Sequence, residues 1–145
     1  MTTFVLDASV AVKWAMPLAL EPLTREALDL MKRYVKGEVE FIVPDIFWAE
    51  VGSVLWRGAK QQRWESGQAE AVALDIRARN FETIPSQLLM HEALQIAFAY
   101  DRNIYDCLYA ALAVESKAPL ITADERLANA LAAHLPVKWL GALNL

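Results

Sequence analysis

The chain has 145 residues, with 14 Lys+Arg against 18 Asp+Glu for a formal net charge of −4, and is 56 % hydrophobic and 22 % charged. That length predicts a single domain over residues 1–145 with an ample core, and the apolar content excludes a disordered chain. The acidic balance excludes a protein that holds nucleic acid by its overall field, so a polyanionic substrate has to be gripped by local basic patches or by bound metal.

The opening MTTFVLDASV lacks a basic n-region and a long apolar h-region, which argues against a signal peptide. No apolar run approaches the roughly 18 residues of a membrane span, so no membrane association and a cytoplasmic location are expected. Phe4-Val5-Leu6 is the first short apolar run without alternation, the pattern of a strand covered on both faces. Leu23, Ala27, Leu30, Met31 and Tyr34 then repeat at helical spacing up to Gly37. Phe41-Ile42-Val43 predicts a second strand. After the start signal Pro44-Asp45, residues Ile46, Phe47, Val51, Val54 and Leu55 mark a helix. Further helices follow Ser66 (Ala69, Val72, Ala73, Ile76) and Pro85-Ser86 (Leu89, Ala93, Ile96, Ala97, Tyr100), with a weaker strand at Glu82-Thr83-Ile84 between them. Leu108, Ala111 and Leu112 mark the next helix, Leu120-Ile121 a strand, Leu127, Ala130 and Leu131 the last helix, and Val137 to Leu140 a final weak strand. This alternation predicts an α/β fold, a three-layer α/β/α sandwich with a mostly parallel central sheet of about five strands. In such sheets ligands bind outside the carboxyl ends of strands, near a topological switch point.

Four acids stand in unexpected company. Asp7 directly follows the first strand, and Asp124 follows Leu120-Ile121-Thr122. Glu50 sits within Ile46-Phe47-Trp48-Ala49-Glu50-Val51, on a helix otherwise built for burial, and Asp106 within Ile104-Tyr105-Asp106-Cys107-Leu108. A carboxylate among large apolar groups costs several kcal/mol unless it is paired or metal-bound. No lysine or arginine adjoins Glu50 or Asp106 to act as a partner. Acids brought together by the sheet would repel and raise one another's pKa values. A divalent cation removes that problem, and hard oxygen ligands favour Mg²⁺ or Mn²⁺. Each acid also has a structural reading: Asp7 as the cap of a short helix begun by Ala8-Ser9, Asp106 as a first-turn acid on the helix dipole, and Asp124 as a first-turn acid behind a Thr122–Glu125 capping box.

VLDASVAVKW, VPDIFWAEVGSVLWR, IYDCLYAALA and PLITADERLANAL together resemble the four blocks of PIN-domain nucleases, most closely the VapC toxins of bacterial and archaeal VapBC toxin–antitoxin pairs. The resemblance runs from about Phe4 to Leu140. It implies that Asp7, Glu50, Asp106 and Asp124 are the catalytic acids, with Asp7, Asp106 and Asp124 as metal ligands. It implies a Mg²⁺- or Mn²⁺-dependent endoribonuclease cleaving RNA through an activated water, silenced by a cognate VapB-type antitoxin, and dimeric. Ser9 and Thr122 match the family's hydroxyl residues beside the first and last acids. Ser53 stands where many relatives carry Asn.

Arg57 and Lys60, with Arg63, follow Glu50 at helical spacing and offer a phosphate-contacting strip; Lys13 lies beside the first acid. Trp48 and Trp56 lie on the Glu50 helix and suit a helix-in-groove contact with the antitoxin. The two histidines, His91 and His134, lie outside the acidic blocks, so a histidine-based ribonuclease mechanism lacks its residues. Cys107, the single cysteine, reads as a small buried hydrophobe and excludes a disulfide framework. Two other functions gather acids or keep this fold but match the sequence less well. A phospho-acceptor signalling domain needs an acid pair after the first strand, where Asp7 stands alone. The alternative is a non-catalytic PIN-like module that only binds partners, against which the four intact acids argue.

Overall fold

The unalternated apolar runs become the middle of a sheet because both of their faces are covered. Phe4, Val5, Leu6, Leu120 and Ile121 are all buried, with strands β1 (Thr2–Leu6) and β4 (Leu120–Thr122) lying side by side. The computed structural model describes residues 1–15 and 22–144. With β2 (Val39–Pro44), β3 (Glu82–Ile84) and β5 (Val137–Trp139), these strands form a five-stranded, all-parallel sheet in the order β3-β2-β1-β4-β5. The expected α/β sandwich is therefore present. The weak strand candidates at Glu82 and Val137 are its two edges, short and only partly buried, as edge strands are.

Parallel pairing requires crossovers, and helices supply them. Helices α1 (Ala8–Ala15), α2 (Thr24–Val35), α3 (Ile46–Lys60) and α4 (Ser66–Ala78) pack on one another. Helices α5 (Ser86–Tyr100) and α6 (Ile104–Ser116) form a second packed pair, and α7 (Glu125–Leu131) joins β4 to β5. A 3-10 turn, Leu140–Ala142, follows the last strand. Among the described residues no helix is long and apolar enough to cross a membrane. Helix α6 runs deepest: Cys107 through Ala113 are buried without a break. Ala110, Ala111 and Ala113 let it lie close against β1, β2 and β4.

Local signals end the elements largely as predicted. After α2, Gly37 takes the left-handed conformation (φ 76°), and the Gly37 and Glu38 N–H groups return to the carbonyls of Tyr34 and Arg33. Glu65 and Gln68 form a reciprocal capping box at the start of α4. The start signal at Asp45 works differently from a simple cap. Its side chain leaves α3 alone and crosses to α5, where Asp45 Oδ2 accepts from Ser86 N at 3.0 Å and Ser86 Oγ at 3.3 Å. The β2–β3 register, with Pro44 opposite Ile84, brings those two chain segments together. The Thr122–Glu125 capping box is also not formed. Asp124 is the N-cap of α7, its Oδ1 accepting from Arg126 N at 3.0 Å and Leu127 N at 3.3 Å.

The tryptophans divide by role. Trp14 is buried in an aromatic cluster with Tyr34, Phe41 and Phe81, which continues through Phe47 to Trp48. Trp48 is half-buried and its indole N–H donates to Thr83 Oγ1 at 3.0 Å. Trp64 folds back over α3, donating to the Leu55 carbonyl at 2.9 Å, and its ring covers Gly58. A methyl group at Gly58 would overlap that ring, and the ring is fixed by its own hydrogen bond. Gly58→Ala should therefore destabilise the chain by about 1–3 kcal/mol, the usual cost of overpacking. Urea unfolding of this variant with an unchanged midpoint would show that Trp64 can be displaced without cost.

Candidate functional site

The sheet reverses direction of growth at β1: β2 and β3 are laid on one side, β4 and β5 on the other. The carboxyl ends of β1 and β4 meet at this switch point, the place where such sheets bind ligands. Leu6 pairs with Ile121, and the next amide, Asp7 N, donates to Ile121 O at 3.1 Å. That register sets Asp7, one residue beyond β1, against Thr122, the last residue of β4.

The Asp7 carboxylate is tightly held. Thr122 Oγ1 donates to Asp7 Oδ2 at 2.6 Å and Ser9 Oγ donates to the same oxygen at 2.9 Å. Both hydroxyls are in turn fixed by backbone: Ala123 N donates to Ser9 Oγ at 3.1 Å and Asp124 N to Thr122 Oγ1 at 3.0 Å. Thr122 is fully buried, so its hydroxyl acts on Asp7. Burial pushes the Asp7 carboxyl above its ordinary value; the two hydroxyls oppose this, and the charge of Asp106 adds to it.

Glu50 and Asp106 arrive from opposite helical layers. Glu50 lies in the first turns of α3, partly buried, and its Oε1 is buried without a hydrogen-bond partner. Its carboxyl is raised, first by burial, then by the charges of Asp7 and Asp106, while the Tyr109 hydroxyl favours the charged form. Asp106 occupies the first turn of α6, where Asn103 is the N-cap and accepts from Asp106 N at 2.9 Å. Burial raises the Asp106 carboxyl and Asp124 raises it further, against Arg102 and Asn103. Asp124 is exposed at the start of α7. The fold thus makes electrostatic neighbours of all four acids that the sequence singled out.

The expectation that Asp106 has no basic partner is corrected here. Arg102 Nη2 lies 3.4 Å from Asp106 Oδ2, and Asn103 Nδ2 donates to that oxygen at 3.1 Å. Arg102 stands four residues before Asp106, the spacing of a helical ion pair, although it precedes the Asn103 cap. Tyr109 is the other residue the sequence reading passed over. It is 2 % exposed, its hydroxyl has no formed hydrogen bond, and it stands near Glu50 and Asp7. Its spacing of three from Asp106 on one helix places it on the same face, a signal that was available. Burial pushes the Tyr109 hydroxyl far above its ordinary range, so it stays a neutral donor.

The remaining candidates lie further out. Arg57 is exposed two turns along α3 from Glu50, hence on the same face, about 10 Å away along the axis. Lys60 is exposed, with its ammonium 6.0 Å from the Trp56 ring centre, and Lys13 donates to the Pro22 carbonyl at 2.9 Å. His91 is exposed on α5, and His134 is exposed beside Tyr100. Burial and the Asp106 charge push the Cys107 thiol up to about 11, so it carries no thiolate chemistry.

The donor set suits a hard divalent cation: carboxylates from three separate segments, each raised by burial and by a neighbouring carboxylate, with one buried oxygen on Glu50 left unbonded. Among the described residues no three acidic, His or Cys side chains already converge into a closed metal-binding group.

The PIN domain family model matches residues 4–131. Among solved structures, the chain is similar to PAE2754 from Pyrobaculum aerophilum (21 % identity, TM-score 0.68, covering 89 % of this chain and 79 % of that one). It is also similar to a chain of a toxin–antitoxin complex from Klebsiella pneumoniae (18 % identity, TM-score 0.62, 93 % and 95 % covered). A third likeness is to VapBC2 from Rickettsia felis, bound to a DNA fragment from their promoter (15 % identity, TM-score 0.59, 95 % and 98 % covered). No curated protein sequence matches this chain significantly.

The raised Glu50 carboxyl has a consequence for stability. The folded chain takes up a proton at Glu50 more readily than the unfolded chain, so its stability falls as pH rises from about 4 through the raised value. Glu50→Gln removes that loss. In chelator, its melting temperature at neutral pH should equal or exceed that of the unaltered chain, and the difference should vanish near about pH 4. A fall of several degrees at neutral pH would instead assign Glu50 a structural hydrogen bond.

Proposed function

This chain belongs to the PIN domain family, and from that premise we propose that it is a metal-dependent endoribonuclease, the toxin of a toxin–antitoxin pair. The observation that carries the reading is the electrostatic coupling of Asp7, Glu50 and Asp106 near the switch point of the sheet, with a buried, unbonded oxygen on Glu50. The likeness to chains solved as toxin–antitoxin complexes supports the biological role. In this reading residues 1–145 act as one domain in the cytoplasm. They pair with a second copy and with a VapB-type antitoxin.

Asp7, Asp106 and Asp124 would hold Mg²⁺ or Mn²⁺. When bound, the ion supplies an activated water and neutralises charge building on the phosphoryl oxygens. The chain's own residues do the rest. Ser9 and Thr122 fix Asp7 through one oxygen, so that carboxylate need not reorganise on binding. Glu50 Oε1, with no other partner, orients the attacking water and accepts its proton. Its raised carboxyl makes it a stronger base than an exposed glutamate. Arg57 and Lys60 contact phosphates flanking the scissile one.

Attack by water leaves the ribose 2′-hydroxyl unused, so RNA should be cut to 5′-phosphate and 3′-hydroxyl ends. Asp7→Asn or Asp106→Asn should slow cleavage by about a hundredfold or more and shrink the rise in melting temperature that Mg²⁺ or Mn²⁺ produces. End-group analysis returning 2′,3′-cyclic phosphates, with complete loss of cutting on a 2′-deoxy scissile nucleotide, would overturn this chemistry. No cleavage under any cation would favour a module that only binds partners.

Trp56 is 63 % exposed at the edge of a groove of about 370 Å³ between α3 and α4, floored by Gly52, Leu55, Ala59, Ala69 and Ala73. This is the groove we assign to the antitoxin's apolar segment. Trp56→Ala should leave the stability of the isolated chain within about 0.5 kcal/mol while weakening antitoxin binding at least tenfold by calorimetry. Undiminished affinity would move the antitoxin elsewhere.

A further inference from the structure

We infer that Arg102 is the built-in counter-cation of the acid cluster, a positioning residue that occupies Asp106 while no metal ion is bound and lowers the affinity with which one binds. The inference rests on the reading of Asp106 as a metal ligand.

Arg102 is poorly housed for a residue kept for packing. Its side chain is 25 % exposed, its Nε is buried without an acceptor, and among the described residues its one acidic contact is the 3.4 Å approach of Nη2 to Asp106 Oδ2. A guanidinium carries five donors in a fixed fork, and leaving one of them buried and unmade costs stability. What offsets that cost is charge. Asp106 feels Asp124 in addition to its own burial, and its charge acts in turn on Asp7 and Glu50. A cation at this point therefore relieves Asp106, the acid whose charge reaches both of the others. Arginine suits the task because it stays protonated at any physiological pH.

Asn103 is bound to the same oxygen and also caps α6, so the pair Arg102–Asn103 fixes the Asp106 carboxylate from one side. An arriving divalent ion meets an Asp106 oxygen that already has two donors, and a positive charge a few ångströms away. Binding must displace Arg102 or tolerate it, and either lowers the affinity. The arginine thus exchanges apo stability for a weaker metal site.

The test is calorimetric titration of Mn²⁺ into the full chain and into Arg102→Gln, Arg102→Leu, Arg102→Lys and Asp106→Asn, with melting temperatures in chelator for each. Arg102→Gln and Arg102→Leu should bind Mn²⁺ about tenfold more tightly and melt lower than the unaltered chain without metal. Arg102→Lys, which keeps the charge, should stay close to the unaltered chain in both. The Gln variant keeps a polar group of similar length if Leu impairs folding. Unchanged or weaker Mn²⁺ binding in Arg102→Gln, with binding lost in Asp106→Asn, overturns the role of Arg102 and leaves the metal site standing. Equal tightening in the Lys and Gln variants also overturns it, because charge would then not matter. No binding by any of the chains, the unaltered one included, overturns both the site and the inference.

Discussion

Like charges drawn together out of water are the constraint around which this molecule is organised. Three carboxylates are electrostatic neighbours near the ends of β1 and β4, all raised by burial, with Asp106 adding to Asp7, Asp7 and Asp106 adding to Glu50, and Asp124 adding to Asp106; a chain selected only for stability would not keep them there. The surrounding structure manages the repulsion differently for each acid. Asp7 has two hydroxyls locked by backbone amides. Asp106 has an arginine and an asparagine. Glu50 has an oxygen with nothing formed to it, beside a neutral tyrosine hydroxyl. The least satisfied group is the one with the freest oxygen for chemistry, a common link between local strain and function.

Holding such a cluster requires rigid supports, and the three acids are borne by the best-packed parts of the fold. Asp7 continues a central strand, Asp106 opens the most deeply buried helix, and Glu50 sits on a helix anchored by Phe47, Val51 and Leu55. Asp45 adds a tie between layers by capping α5 from the start of α3. Asp124 differs in being exposed and already engaged as a cap, so its carboxylate is the outermost of the four.

Most of the architecture was legible because its signals are local. Apolar runs without alternation became buried parallel strands, and the 3.6-residue repeats became helices. The four acids stood out because each breaks an apolar pattern, and the fold makes them neighbours. What was not legible depended on turns and on register. The Arg102–Asp106 pair has the four-residue spacing of a helical ion pair, but Arg102 lies ahead of the α6 N-cap, so the pair depends on where the helix starts. The Asp45–Ser86 bond spans 41 residues and exists only because β2 and β3 end side by side. Thr122 and Glu125 had the spacing of a capping box, but the Thr122 hydroxyl was already committed to Asp7, which left the cap to Asp124. Trp48 and Trp56 look alike along the helix, yet one joins the aromatic cluster and the other faces solvent, a difference set by what α4 and β3 cover.

Helix α6 has a bearing on how the site can be controlled. Local opening reactions spare the segments with the most buried contacts, so such segments exchange their amide hydrogens only when the whole domain unfolds. The unbroken buried run from Cys107 to Ala113 makes α6 such a segment, and Asp106 is fixed to its first turn. The carboxylate is thus tied by its cap to the end of the most stable helix and not to a loop or lid. For the function proposed, control would then have to come from outside the helix, by covering the open end of the sheet or by placing a charged group among the acids.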